Sequence, residues 1–465
     1  MTISNYTVLD DPPLYPPTVA PAQRTLSLPE FLYKLVRNPL RVTPDLAYQQ
    51  PITVLGGKGG GRQYVWLAEP ELIKTVLLDE RAKFPKSSDI DERIFGPILG
   101  DGILTAKGAD WRWQRQIVAP LFRSSELADY VPKMTTAAED LLEDWRNRGS
   151  RMVQPIDRDM TKVTFAVIAS TIMTADESFD TAPMEKAIDD YLAKISWEIA
   201  YGMLNVPNWL WHPVKRRMRV AQDTLRAAVT ELVRAHRKDE AERDDLLARL
   251  MKARHPETDE PMPDALIIDN VLTFLAAGHE TTAKALTWTI YLLARAPHWQ
   301  ERIAQEVKDV TRGAPIDGTH IDRLVQTQQV LKESMRLYPP VPLISRQSAG
   351  ATELGGEKIK ERAFVTVPIF SLHRHRKLWH DPDRFDPTRF APEREKSINR
   401  YQYMPFGAGP RICIGASFAM MEATAILATL LRRARFEWVR GHAPEPISRV
   451  TLRPKGGMPL RVWVS

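Results

Sequence analysis

The chain contains a single cysteine, Cys413, among its 465 residues. One thiol forms no intramolecular disulfide and no multi-cysteine metal cage. Cys413 lies in the segment FGAGPRICIG, residues 406–415, whose glycines permit positive φ angles and close backbone approach. The apolar stretch Ala416–Leu431 predicts a helix directly after this loop. A thiolate at a helix N-terminus is stabilised by the helix dipole and by free N–H groups.

Three interpretations of Cys413 follow from the residues around it. Free cysteine is often a small buried hydrophobe, and ten histidines leave a cysteine–histidine nucleophile open, although no protease-type sequence surrounds this thiol. Packing alone does not explain the glycines and Arg411, whereas a single thiolate ligand to a haem iron uses both. The pattern F-G-x-G-x-R-x-C-x-G resembles the haem-binding loop of the cytochrome P450 family.

The resemblance covers nearly the whole chain, because a small β region, a helical mass and a C-terminal cofactor loop follow one another as in that family. It implies a mainly α fold with small β-sheets (α+β), in which a triangular prism of helices surrounds a buried haem. We expect an extended proline-rich arm at residues 1–30 and a single haem domain at residues 31–465. The cofactor implied is haem b (iron protoporphyrin IX), with Cys413 as the axial ligand of the iron.

The order of predicted elements begins with two strand-like runs, Ile52–Leu55 and Gln63–Leu67, around a glycine-rich turn. That turn fits neither nucleotide-binding glycine pattern and is interpreted as a hairpin. Helical periodicity then dominates up to Arg336. The predicted helices include Glu126–Arg146, Glu185–Leu204, Val214–Arg237 and Asp264–Ala294. Short β-like runs follow at Val341–Ile344, Phe364–Pro368, Phe436–Val439 and Leu460–Val464.

The net charge of +6 and a pI of about 9.2 raise the question of nucleic-acid binding. Basic and acidic residues alternate along most of the chain, and the densest basic cluster, Lys215–Arg219, is short enough to be a solvated helix face. We therefore expect no nucleic-acid partner, and a positive surface that attracts an acidic electron-transfer protein. The first 30 residues lack an apolar core and charges interrupt the apolar stretches, so we expect no membrane anchor and a cytoplasmic protein.

A second motif, AGHETT at residues 277–282, lies within the longest predicted helix. Glycine weakens a helix interior by about 1 kcal/mol relative to alanine, and Thr281 can bond a carbonyl one turn back and bend the helix. A polar face with a local kink explains these residues equally well when they are seen alone. The motif also resembles the family pattern [AG]-G-x-[DE]-T-[TS]. That resemblance implies that Thr281 hydrogen-bonds oxygen at the haem iron, that Glu280 supplies protons, and that His279 is only a neighbour.

Further resemblances concern residues that support the haem. Glu333 and Arg336 form an E-x-x-R pair, which is either a surface ion pair or, by resemblance, a structural triad completed by Arg384 of the segment PDRF. Arginine matches the carboxylates of haem propionates well. The expected haem-binding residues are Trp111, Arg115, Arg346, Phe406, Gly407, Arg411 and Cys413.

The resemblance also places a substrate pocket between the segment before Trp111, the long helix and the segment after Pro340. The residues there are mostly apolar, which favours a hydrophobic substrate, although each is equally compatible with a place in the core. The candidate pocket residues are Ile98, Leu99, Phe274, Ala277, Val341, Leu343 and Ile344. The region Ile195–Trp211 is either a mobile lid over the entrance or a packed connection.

The function expected is a haem-thiolate monooxygenase that inserts one atom of O2 into a hydrophobic small molecule. Its electrons would come from an external ferredoxin or flavodoxin with an NAD(P)H reductase. A peroxide-driven or rearranging haem-thiolate enzyme is one alternative, although such enzymes often lack the pair formed by Glu280 and Thr281. A haem-based sensor or carrier is another, and a thiol hydrolase is a third.

Overall fold

The computed structural model describes residues 13–57, 62–86, 89–149, 151–172, 182–192, 195–203, 206, 215–238 and 245–465. Helices make up most of this part of the chain, and the short strands lie within residues 52–67, 153–155, 344–367 and 434–464. The helices are α1 (Leu28–Arg37), α2 (Pro70–Lys74), α3 (Asp89–Leu99), α4 (Gly108–Val118), α5 (Ser124–Leu127), α6 (Val131–Arg148), α7 (Ile156–Ile172), α8 (Ala182–Leu192), α9 (Ile195–Met203), α10 (Lys215–Lys238), α11 (Leu246–Lys252), α12 (Asp264–Arg295), α13 (Pro297–Thr311), α14 (Gly318–Ile321), α15 (Val325–Leu337), α16 (Ile369–Leu372), α17 (Pro392–Glu395) and α18 (Ala416–Arg433).

The strands of the described residues form four small sheets. They are β1 (Ile52–Gly56), β2 (Gln63–Leu67), β3 (Val153–Pro155), β4 (Ile344–Gln347), β5 (Thr352–Leu354), β6 (Glu357–Ile359), β7 (Phe364–Val367), β8 (Ala434–Trp438), β9 (Glu445–Arg449), β10 (Thr451–Lys455) and β11 (Pro459–Val464). The largest sheet has the order β1-β2-β7-β4, and β3-β11-β8 form a three-stranded sheet. Two hairpins, β5-β6 and β9-β10, complete the set. The mainly α architecture with small sheets confirms the predicted fold class.

The central element is α12, a 32-residue helix about 48 Å long at 1.5 Å per residue. Asp264 lies in its first turn and Arg295 in its last, so both charges oppose the helix dipole favourably. Most of its side chains between Ile267 and Leu293 are buried, since α7, α10, α15 and α18 pack around it. A helix that is buried around most of its circumference belongs in the interior of a large domain.

Several predicted elements have different bounds in the structure. The helix predicted at Glu126–Arg146 is divided into α5, a 3₁₀ turn and α6. The helix predicted at Glu185–Leu204 corresponds to α8 and α9. The strand predicted at Val341–Ile344 begins only at Ile344, because Ile344 to Gln347 pair with β7. The flanking strands β1 and β2 pair antiparallel, which confirms the predicted hairpin.

The N-terminal arm is described from Pro13 onward. Residues 13–27 precede α1 without forming a helix, and long-range hydrogen bonds attach them to the rest of the domain. The carbonyl of Leu14 accepts from the N–H of Phe385 at 2.9 Å, and that of Pro17 accepts from the Tyr338 hydroxyl at 2.7 Å. Helix α1 then begins at Leu28. Within the described ranges, no helix is both long and apolar enough to cross a membrane.

Candidate functional site

A cavity of about 570 Å³ lies beneath the middle of α12. Its walls come from α3, α4, α12, the segment 340–346 and the loop 405–415, and most of the lining side chains are apolar. Every residue expected from the sequence to line a substrate pocket lies on this cavity. Those residues are Ile98, Leu99, Phe274, Ala277, Val341, Leu343 and Ile344. The haem-binding candidates and the pair Glu280 and Thr281 line the same cavity.

Cys413 lies on the cavity wall, in a loop that is held by hydrogen bonds between its own backbone groups. The N–H of Cys413 donates to the carbonyl of Phe406 at 2.9 Å, and the N–H of Ile412 donates to the carbonyl of Gly409 at 3.1 Å. Gly409 has a φ of +73°, and a Cβ there would lie 2.5 Å from the carbonyl oxygen of Leu77. The loop thus presses against the turn after α2, and only glycine fits this contact. The thiol is accessible from the cavity.

The charge state of the Cys413 thiol is set by opposing influences. Burial is the stronger influence and raises the pKa of the thiol, whereas the N–H of Gly415 and the Arg115 guanidinium offset part of this rise. Gly415 directly precedes α18, so the thiol lies at a helix N-terminus as the sequence predicted. Arg115 is held in place because its Nη1 donates to the carbonyl of Ile412 at 2.9 Å. Both stabilising groups favour an anionic sulfur, the form that binds a metal ion.

A cluster of three arginines, Arg115, Arg346 and Arg411, lies at one side of the cavity. Arg411 donates to the carbonyl of Ala106 at 2.8 Å, and its guanidinium lies 4.5 Å from the centroid of the Trp111 ring. Burial, reinforced by the positive charges of Arg346 and Arg115, lowers the pKa of Arg411 to about 10. Like charges gathered in a partly buried site favour an anionic ligand that offsets their repulsion.

The AGHETT motif of α12 passes over the cavity. Thr281 donates its hydroxyl to the carbonyl of Ala277 at 2.7 Å, which is the backbone bond predicted from the sequence. A Cβ on Gly278 would lie 2.1 Å from Cδ1 of Ile168, so this glycine lets α7 approach α12 closely. His279 is buried on the other side, where its ring packs edge-on against Phe165. The motif therefore presents a hydroxyl toward the cavity wall and directs the histidine into the core.

Glu280 is buried beside Thr281, with 3% of its surface exposed. Its Oε1 accepts a hydrogen bond from the Thr451 hydroxyl at 2.7 Å and forms an ion pair with Arg453. Burial disfavours its charged form, but Arg453, Lys284 and the Thr451 hydroxyl outweigh burial and hold the pKa of Glu280 below its usual range. The predicted acid is therefore an ionised carboxylate. Its partners on β10 were not identified from the sequence, since 171 residues separate Thr451 from Glu280.

The predicted triad of Glu333, Arg336 and Arg384 is wrong in its third member. Arg336 binds Glu333 through Nε at 2.7 Å and Nη2 at 2.8 Å, and both side chains are fully buried. The second cation near the carboxylate is Arg389, whose Nε lies 3.7 Å from Oε1 of Glu333. Arg384 contributes only its carbonyl, which accepts from Arg336. The pattern P-x-R-F occurs twice in this segment, and the 3₁₀ turn Pro387–Phe390 brings the second copy against α15.

The pocket also contains residues that sequence reasoning missed. Ile168 of α7, Tyr191 of α8 and Val450, between β9 and β10, line the cavity. These segments are far apart in the chain and carry no motif, so no local signal identified them. Of the region proposed as a lid, Ile195 and Ile199 of α9 line the cavity, whereas residues 204–205 and 207–211 lie outside the described part.

Comparison with known proteins gives a consistent result. The family model for cytochrome P450 matches residues 32–460. The cyclooctatin synthase of Streptomyces melanosporofaciens is 34% identical over 450 residues, which cover 95% of this chain and 93% of that protein. The cyclooctat-9-en-7-ol 5-monooxygenase of the same organism is 31% identical over 92% of each chain. The pentalenene oxygenase of Streptomyces avermitilis is 30% identical over 87% of this chain and 88% of that protein.

A solved structure also matches. The crystal structure of the cytochrome P450DA heme domain superimposes with a TM-score of 0.82 and 25% sequence identity. The match covers 96% of this chain and 98% of the solved one. The similarity therefore extends over the helices and the sheets alike.

Proposed function

Because the chain belongs to the cytochrome P450 family, we propose that this monooxygenase oxidises a ring-containing olefin of the terpenoid type, with electrons from separate redox proteins. The observation that carries the proposal is the cavity of about 570 Å³, whose walls are mostly apolar and which contains Cys413 and Thr281. The names of two relatives denote an alkenol and an alkene as their substrates. A hydrocarbon skeleton is the ligand that such walls favour.

The residues present fit a haem b group. Cys413, at the N-terminus of α18, would hold the haem iron through its thiolate sulfur. Arg115, Arg346 and Arg411 would bind the two propionates, because guanidinium groups match carboxylates in geometry and charge. When bound, the haem supplies the iron at which O2 is reduced by two electrons and two protons, with one oxygen atom passing to the substrate and the other to water.

Protons reach the cavity through the chain's own polar groups. Thr281 offers a hydroxyl at the cavity wall, and Glu280 is the ionised carboxylate next to it. A carboxylate beside an alcohol can accept a proton from solvent and pass it to a neighbouring acceptor. Substrate binding uses apolar contacts with residues such as Ile98 and Phe274, which exclude water from the same space.

Electrons are proposed to come from a ferredoxin or flavodoxin that is reduced by an NAD(P)H-dependent reductase. The net charge of +6 favours association with acidic proteins of this kind. A cytoplasmic location follows if these partners are cytoplasmic. Association should weaken as ionic strength rises, since screening shortens the range of surface electrostatics to about 10 Å at 0.1 M salt.

The proposal is tested first by the spectrum of the dithionite-reduced protein with CO. A strongly red-shifted Soret band is expected for the native chain, and the Cys413→Ser variant should bind haem without that shift. Cyclic olefins should then produce a spin-state change with higher affinity than linear fatty acids of similar size. A haem spectrum without the red shift would refute the thiolate ligand, and a preference for fatty acids would refute the substrate class.

Turnover with a surrogate ferredoxin and reductase tests the role of Thr281. The Thr281→Val variant should divert electrons to peroxide and lower the product formed per NADPH. Thr287→Val is the matched control, because Thr287 makes the same bond one turn back, to Ala283 at 2.7 Å, but is fully buried away from the cavity. Equal losses in both variants would mean that Thr281 acts only on the helix.

A further inference from the structure

The C-terminal hairpin formed by β9 and β10 reaches the cavity beside α12. Arg449 and Thr451 face each other across its turn, and the residue between them, Val450, has a φ of +75°. A β-branched residue in the left-handed region is strained by about 1–3 kcal/mol and persists only where the surroundings enforce it. Val450 lines the cavity. The hairpin is therefore held in a specific conformation at the cavity wall.

Two side chains of this hairpin bind the carboxylate of Glu280. The Thr451 hydroxyl donates to Oε1 at 2.7 Å, and the Arg453 guanidinium forms an ion pair with the same oxygen. The side chain of Arg453 is 20% exposed, whereas that of Glu280 is 3% exposed. The ion pair between Glu280 and Arg453 thus joins a buried carboxylate to a guanidinium that is partly exposed to solvent.

Among the described residues, the charged and titratable groups that act most strongly on Glu280 come from two elements. Arg453 approaches from β10, while Lys284 and His279 belong to α12 itself. Lys284 lies one turn beyond Glu280 and its Nζ donates to the Thr161 hydroxyl at 3.3 Å. An unpaired buried carboxylate would take up a proton, since burial disfavours charge. The ion pair is the strongest influence that opposes burial here.

We propose that Arg453 and Thr451 are positioning residues for proton delivery, which hold the buried Glu280 side chain at the cavity edge and join it to a guanidinium that reaches solvent. The arrangement rests on the proposed function in one respect, namely that Glu280 supplies protons to the reaction. Since Val450 adjoins Thr451, a substrate that contacts the hairpin tip touches the same element that orients the acid.

The charge of Glu280 is measured directly by infrared spectroscopy of the holoenzyme as a function of pH. Arg453→Gln should raise the pH at which the protonated-carboxyl band of Glu280 disappears by about one unit or more, a tenfold change in proton affinity. The band is assigned by its loss in the variant that also carries Glu280→Gln. Arg453→Lys should keep the native behaviour, and Thr451→Val should shift the band in the same direction by less. An unchanged titration in Arg453→Gln would overturn the proposal.

Turnover gives the second readout, with pentalenene as the probe and a surrogate ferredoxin and reductase. Arg453→Gln should lower product per NADPH at least threefold and change the pH profile, whereas Arg453→Lys should restore both. A loss that Arg453→Lys fails to restore, or one with an unchanged pH profile, would indicate a purely structural role and refute the proposal. If the proposed haem-thiolate function is wrong, the CO spectrum will lack the red-shifted band. The infrared titration of Glu280 does not depend on that spectrum, so the two failures are distinguishable.

Discussion

Replacing Gly409 by alanine tests how the Cys413 loop is held. A side chain there faces two costs. The φ of +73° is unfavourable for alanine by about 1–2 kcal/mol, and the added Cβ would lie 2.5 Å from the Leu77 carbonyl oxygen and 3.2 Å from its carbon. Both of those atoms are backbone, so the loop or the turn after α2 has to move. Overpacking of this kind costs about 1–3 kcal/mol more.

The expected total for Gly409→Ala is about 2–5 kcal/mol of unfolding free energy, the sum of left-handed strain and overpacking. Gly441→Ala is the matched control. Gly441 has a similar φ of +85°, but nothing lies within 4 Å of an added Cβ. It should lose only the strain, about 1–2 kcal/mol. The difference between the variants isolates the contact with Leu77.

Urea unfolding of the holoprotein, followed by far-UV circular dichroism and by the Soret band, measures both quantities. Gly409→Ala should lower the urea midpoint more than Gly441→Ala and should release haem at a lower urea concentration. Equal destabilisation of the two variants would refute the argument, because it would mean that the loop does not press on Leu77. If the folded Gly409→Ala variant retains all of its haem and has a normal Soret band, the substitution affects only the stability of the protein.

Two further predictions concern buried charge. Burial raises the pKa of Glu422 on α18 to about 8, against a small opposing contribution from Thr282. Its neutral form therefore adds stability that is complete below a pH of about 4.5 and lost as pH rises toward 8. Glu422→Gln should thus be more stable than the native chain at pH 8 and not at pH 5 in thermal unfolding, and a pH-independent difference would contradict this. Arg389→Met should cost about 1–3 kcal/mol in urea unfolding, because Glu333 is fully buried beside it. Arg384→Met should cost less than about 1 kcal/mol, and the reverse order would restore Arg384 to the triad.

The parts of the site that lie in short contiguous segments were predictable from the sequence. The Cys413 loop carries glycines, an arginine and a thiol within ten residues, and the AGHETT motif carries its hydroxyl and acid within six. Their conformations depend mainly on neighbouring residues, through glycine φ angles, the start of α18 and the bond from Thr281 to Ala277. Family resemblance then related the two segments to one cofactor.

The ends of helices and strands, and the residues that pair with each buried charge, depended on the tertiary structure. Two copies of P-x-R-F lie five residues apart, and both are locally equivalent, so the sequence favoured Arg384 where the fold uses Arg389. The 3₁₀ turn Pro387–Phe390 packs against α15, and this contact places Arg389 and not Arg384 beside Glu333. Similarly, the strand after Pro340 begins where β7 offers it hydrogen-bond partners.

The sequence by itself determined the loop around Cys413 and the backbone bond of Thr281, because short-range geometry encodes them, and its family resemblance indicated the fold class. Only the tertiary structure decided that Arg453 and Thr451 bind Glu280, that Ile168 fits against Gly278, and that three arginines from separate segments gather at one side of the cavity. These contacts join residues far apart in the chain. Their geometry follows from how helices and hairpins pack, which no local pattern specifies.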